Sequence, residues 1–198
     1  MEKNLFDQLS HKYDSKKQLE LAAIIQEEIR TDIANSTNKT MLDYGCGTGL
    51  VSLAFSESVK KLILTDASSE MIRLTNQKIG DLGIQNASTH QLDLIKDTTD
   101  IKADIILASL LLLHVPDTTL ILSRLFDVLN ENGRLIIVDF DLNQHISDPR
   151  VHNGFDQEKL AILLKEIGFS NVTSHNFYQG KELFMKKEAT LFKAVTSK

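Results

Sequence analysis

Apolar residues recur at every fourth position in Leu21, Ile25, Ile29 and Ile33, behind a Ser15-Lys-Lys-Gln18 capping box. That spacing predicts a first helix with one buried stripe. Beyond residue 40 the pattern changes to short β-rich runs alternating with helical spacing. Residues 40–44, 61–65, 87–91, 103–108 and 134–140 read as strands, and 50–57, 69–82 and 117–130 as helices among them. Asp156 opens a last helix with Leu160, Leu163, Leu164 and Ile167 on one face, stopped by Gly168.

Several of these strands are unbroken apolar runs, such as Leu62-Ile-Leu and Ile105-Ile-Leu-Ala, and not alternations. Strands buried on both faces of a parallel sheet read this way. Strand and helix in alternation predict an α/β chain, doubly wound, with helices on both faces of the sheet. The end of the chain differs. Residues 171–178 and 189–197 are strand-like with only a short connection, 179–188, between them, so they are expected to run antiparallel to each other. Seven strands, mostly parallel, with an antiparallel strand last, is the expected sheet.

Composition adds bounds to this picture. The chain has 198 residues, 42% hydrophobic and 25% charged, which fits a single globular domain without repeats or linkers. One cysteine, Cys46, excludes an internal disulfide and a cysteine-rich metal site, and fits a reducing compartment. The polar opening Met1-Glu-Lys-Asn-Leu-Phe6 predicts no signal peptide. The longest apolar stretch, residues 105–115, falls short of the roughly 20 residues that a membrane span needs. A formal charge of −5 disfavours a broad nucleic-acid surface. The expectation is a cytoplasmic protein with no membrane contact and unknown oligomeric state.

The chemistry concentrates in Asp43-Tyr-Gly-Cys-Gly-Thr-Gly49, which ends the first strand after residue 40. Glycines there let backbone approach a ligand, and the carboxyl ends of strands are where open α/β sheets bind one. A dinucleotide fingerprint would need its third glycine at position 50, which is Leu50, and the Lys that closes a phosphate loop is missing. The carboxylate of Asp43 disfavours a pyrophosphate and suits an amine. Asp66 ends the next strand, where an acid can accept both hydroxyls of a ribose. Asp93, after the third, can accept from an adenine amine. The ligand reads as a nucleoside joined to an amino acid.

These motifs resemble the cofactor motifs of class I S-adenosylmethionine-dependent methyltransferases. The likeness continues through Ala103-Asp-Ile-Ile-Leu-Ala-Ser109 and Gly133-Arg-Leu-Ile-Ile-Val-Asp139, and covers residues 40–140. It implies a Rossmann-like seven-stranded sheet and S-adenosylmethionine as cofactor. It also implies a cofactor site of Asp43, Gly45, Cys46, Gly47, Thr48 and Gly49 around the methionine moiety. Asp66 would hold the ribose, Ala67 and Met71 would flank the adenine, and Asp93 with the backbone of Leu94 would read its edge. The carbonyl of Ser109 would meet the methionine amine. A Tyr-Asp pair that closes over the cofactor in small members resembles Tyr13-Asp14, and residues 1–35 are expected to form a helical lid.

Methyl transfer needs alignment more than proton chemistry, so no catalytic residue is required by the pattern. His114, His152 and Tyr13 are the candidates for one. The weightier reading of His114 is a structural histidine near Pro116. Cys46 reads as a small residue filling a tight space. Asp139 and Asp141 share a strand face but lack a third ligand, and His145, His152 and His175 have no metal spacing, so no metal is expected. His152-Asn-Gly-Phe155 resembles an element of some small methyltransferases, where Gly154 and Phe155 would set a turn. The short 141–155 segment leaves no room for an inserted substrate domain, which favours a small-molecule acceptor. A tRNA or protein target, and a cofactor-binding protein without turnover, are the alternatives.

Overall fold

A computed structural model describes residues 14–143 and 152–198. Its elements are α1 (Lys16–Ile33), β1 (Ser36–Tyr44), β2 (Val59–Asp66), α2 (Ser69–Asp81), β3 (Ala87–Gln91), β4 (Ala103–Ser109), α3 (Thr118–Val128), β5 (Leu129–Phe140), α4 (Gln157–Ile167), β6 (Ser170–Phe184) and β7 (Lys187–Ser197). All seven strands form one sheet in the order β3-β2-β1-β4-β5-β7-β6. Strands β1 to β5 pair in parallel, and β7 lies antiparallel to both β5 and β6. The order reverses between β1 and β4, so the crevice that such a sheet offers a ligand opens at their carboxyl ends.

The apolar runs became the core. Residues 41–44 of β1, 62–65 of β2, 105–108 of β4 and 135–140 of β5 are buried without alternation, as strands covered on both faces must be. Helix α1 starts at the expected capping box and buries Ala22, Ile25, Ile29 and Ile33. Its far half is tied to the sheet by polar contacts. Lys193 of β7, 7% exposed, sets its ammonium 2.8 Å from both Glu28 and Asp32, and Arg134 donates to the Asp32 carbonyl at 2.8 Å. Among the described residues no helix is long and apolar enough to cross a membrane.

Three element expectations needed correction. The helix expected over 50–57 is a 3-10 helix at Ser52–Ser58. Few residues separate the top of β1 from the base of β2, and the 3-10 rise of about 2.0 Å per residue covers more of that return than the α-helical 1.5 Å. The helix expected over 117–130 stops at Val128, because Leu129 already pairs with Ala103 as strand. Finally, the 179–188 connection is itself strand. β6 and β7 run on to Phe184 and Lys187 and turn through Met185 and Lys186, both at positive φ (51° and 59°), the backbone of a tight two-residue hairpin turn. The ring of Phe184 at that turn stacks on Phe140 at 4.4 Å between centroids.

Candidate cofactor and acceptor site

The glycine-rich turn leaves β1 with Gly45, Gly47 and Gly49 all at positive φ (79°, 53° and 73°). A side chain at Gly45 would strike Leu111, and one at Gly49 would strike Leu53, whereas one at Gly47 would meet nothing within 4 Å. The turn is therefore packed on its protein side and open at Gly47. Backbone N–H groups of Gly45 and Cys46 both donate to the Thr65 carbonyl, at 2.8 and 2.9 Å, which staples the turn to β2.

Asp66 stands at the end of β2 as expected. Its Oδ2 accepts from the Gly47 N–H at 2.9 Å and its Oδ1 from the Ser68 N–H at 2.8 Å. An ionised carboxylate has about four acceptor sites, so two remain for the hydroxyls of a ribose. Asp43, 3% exposed, is the buried acid of the site. Burial pushes its carboxyl up to about 7, and the charge of Asp66 adds to this. The Ser52 hydroxyl, close by but outside hydrogen-bond geometry, offsets part of the rise.

A cleft of about 240 Å³ brings Asp43, Gly45, Cys46, Gly47, Thr48, Met71 and Ser109 together. Its other walls are Leu50, Val51 and Leu110, and the face of α1 that carries Gln18, Leu21, Ala22 and Ile25. Ser109 Oγ is buried there with no hydrogen-bond partner among the described residues. Leu110, next to it, holds a left-handed φ of 52° while its N–H donates to the Val138 carbonyl at 2.7 Å. A leucine in that conformation carries strain of about 1 kcal/mol, held at the mouth of the cleft. The buried carboxyl of Asp43, the unpartnered Ser109 hydroxyl and the open edge at Gly47 form a donor and acceptor set that fits the amino acid end of S-adenosylmethionine.

Of the residues expected around the ribose and adenine, Met71 walls the cleft. Asp66, Ala67, Asp93 and Leu94 do not line that cleft. The carboxylate of Asp93 is engaged by the Lys96 ammonium at 2.8 Å and the Ile95 N–H at 3.1 Å, and the ammonium holds its carboxyl below the usual range. The Leu94 N–H donates to the Tyr44 hydroxyl at 2.9 Å. These two groups are here spent on the turn that follows β3.

The catalytic candidates fall outside the cleft or outside the described residues. Tyr13 belongs to the latter. His114 is exposed, yet enough protein surrounds its ring to lower its pKa. His152 is a structural tie. Its N–H donates to the Leu113 carbonyl at 2.9 Å and its Nε2 lies 2.8 Å from the Val115 carbonyl, which can only accept, so that nitrogen carries the proton. Asp139 is fully buried, pushed up to about 7 by that burial, and caps the 3-10 turn Leu112–His114 through the Leu113 N–H. Asp141 accepts instead from Gln157 at 2.8 Å. Among the described residues no group of three His, Cys, Asp or Glu converges as a metal would need. Burial raises the Cys46 thiol far from reactivity, in keeping with a packing role.

Residues 35–190 match a family model described as a methyltransferase domain. An uncharacterised methyltransferase of Schizosaccharomyces pombe is 26% identical over 183 residues, covering 81% of this chain and 63% of that protein. This chain thus spans less than two thirds of that relative's length. The crystal structure of the YcgJ protein of Bacillus subtilis superposes with a TM-score of 0.73 at 16% identity, covering 89% of this chain and 98% of that one. Phosphoethanolamine N-methyltransferase 2 of Haemonchus contortus, in complex with phosphomonomethylethanolamine and S-adenosylhomocysteine, gives 0.74 at 13% identity, covering 98% and 60%. At these identities the structural likeness is one of fold.

Proposed function

We infer the reaction from one premise: this chain belongs to the class I S-adenosylmethionine-dependent methyltransferases. The proposed activity is transfer of the sulfonium methyl group to a small-molecule acceptor by in-line displacement. The observation that carries it is the cleft at the reversal point between β1 and β4, where Asp43, Gly47 and Ser109 meet under α1. S-adenosylmethionine supplies an activated methyl group, whose bond electrons stay with sulfur as the acceptor's lone pair forms the new bond. The protein's part is to align the two and keep water out. Among the described residues no histidine walls the cleft.

The proposed site extends from the cleft to Asp66, Ala67, Asp93 and Leu94, with Lys96 and Tyr44 yielding the last two to the adenine. Helix α1 is the proposed lid, since four of its residues wall the cleft. The small-molecule reading draws on the Haemonchus neighbour, which was solved with phosphomonomethylethanolamine. Incubating the protein with S-adenosylmethionine and fractionated small metabolites should release S-adenosylhomocysteine above background, with a product heavier by one CH2. Release that no fraction stimulates would refute the small-molecule reading.

The carboxyl of Asp43 gives a second expected result. An ammonium beside it favours the ionised form, so binding must expel a proton wherever free Asp43 is protonated. Affinity for S-adenosylhomocysteine therefore rises with pH up to about 7 and levels above it, because the free carboxyl titrates at about 7. Asp43→Asn should flatten this profile and weaken binding at pH 8. Calorimetry from pH 5.5 to 8.5 reads both, and a wild-type profile as flat as the variant's would remove Asp43 from the amine site.

A further inference from the structure

We propose that Lys78 is a positioning residue for the cofactor, acting through a closed ring of polar contacts with Thr48 and Asp14. The proposal rests on the cofactor reading above. Lys78 lies in the last turn of α2, outside the glycine-rich turn and outside the residues that wall the cleft. Its ammonium donates to the Thr48 carbonyl at 2.9 Å and pairs with one carboxylate oxygen of Asp14. The other oxygen of Asp14 accepts from the Thr48 hydroxyl at 2.7 Å. Thr48, which does wall the cleft, is thus held at both of its oxygens.

This grip sets the direction of the turn's peptide planes. Thr75, one helical turn before Lys78, donates to the Gly47 carbonyl at 2.8 Å. Two successive carbonyls of the turn are therefore held by α2. In a trans peptide the N–H points opposite to its carbonyl, so holding the Gly47 carbonyl aims the Thr48 N–H away from α2. Holding the Thr48 carbonyl aims the Gly49 N–H likewise, and that group reaches the Cys46 carbonyl at 2.8 Å. Without Lys78 the Thr48–Gly49 plane loses its external hold.

The ring also fixes the start of α1. The far half of that helix is anchored by Lys193 and Arg134, and its middle by Gln26, which donates to the Leu50 carbonyl at 2.7 Å. Ahead of the capping box, Asp14 ties the chain to the turn. The Lys78 and Asp14 side chains are only 23% and 16% exposed, against 90% and 61% for the neighbouring surface pair Lys16–Glu20. The inner pair is therefore little screened by solvent, while the outer one contributes little.

The test is a double-mutant cycle on S-adenosylhomocysteine affinity by calorimetry. Lys78→Met and Asp14→Asn are each expected to weaken binding about tenfold, as loss of one partly shielded charge pair does. The double variant should be no weaker than either single one, because all three remove the same ring. Lys78→Arg, which keeps the charge, should bind within about threefold of wild type. Lys78→Met binding within threefold of wild type, additive losses in the double variant, or Lys78→Arg as weak as Lys78→Met would each overturn the proposal. Wild type that binds no S-adenosylhomocysteine would instead overturn the cofactor reading, and the ring's role with it.

Discussion

Replacing Asp66 by alanine is expected to weaken S-adenosylhomocysteine binding by a factor of about 100 or more. Two contributions add. The carboxylate has acceptor sites to spare for two ribose hydroxyls, and hydrogen bonds to a charged group contribute roughly 1.5–3 kcal/mol each. It also holds the Gly47 N–H and the Ser68 N–H, so its loss frees the open edge of the glycine turn from the end of β2. Two lost charged contacts amount to about 3 kcal/mol, hence roughly two orders of magnitude in affinity. Asp66→Asn should fall in between, since its amide keeps one acceptor oxygen and loses the charge. Calorimetry on both variants separates the terms. An alanine variant that binds within threefold of wild type would place the ribose elsewhere.

The parts of this site that could be read from the chain are those with a local signature. Asp43, the three glycines and Asp66 all sit at strand ends, where an apolar run breaks into a turn, and the break marks them. Leu50 in place of a glycine sufficed to separate two nucleotide-binding patterns. Lys78 had no such mark, and Asp14 was marked only as half of the Tyr13-Asp14 pair, with nothing to tie it to Lys78. They meet across 64 residues, and a lysine in the last turn of a helix reads as a solvated cation. Lys193 was hidden for the same reason, as one polar residue inside a strand, although its ammonium is buried between two acids of α1. Strand-face arithmetic put Asp139 and Asp141 side by side. Only the arrival of the Leu113 N–H shows that Asp139 caps a turn, while Asp141 serves Gln157. Leu110 could not have been found, because leucine carries no preference for a left-handed φ.

Gly154→Ala should be the most damaging substitution for stability. Gly154 is buried at φ 100°, and a Cβ there would lie 2.2 Å from the Asp141 carbonyl oxygen and 2.7 Å from its carbon. Both obstacles are backbone, so no side chain can swing aside. The segment must lift, and with it go the bonds that seat it on the end of β5. These run from the Phe155 N–H to the Phe140 carbonyl, from the Leu142 N–H to the Phe155 carbonyl, and from the Asn143 N–H to the Asn153 carbonyl, at 2.9, 3.1 and 2.8 Å. Strain at that φ together with lost buried hydrogen bonds sets a cost of about 3 kcal/mol or more. For a chain of this size that lowers the unfolding midpoint by roughly 6–12 °C. Gly80→Ala is the control. It lies within α2 with nothing in the way, and should stabilise by about 0.5–1 kcal/mol. Cofactor affinity of folded Gly154→Ala should change little, because Asp43, Gly47 and Asp66 belong to β1, β2 and the turn between them. A midpoint within 2 °C of wild type would show that the loop relieves the clash on its own. A large loss of S-adenosylhomocysteine binding at low temperature would instead mean that the His152 tie to Leu113 and Val115 reaches the cofactor through Ser109 and Leu110.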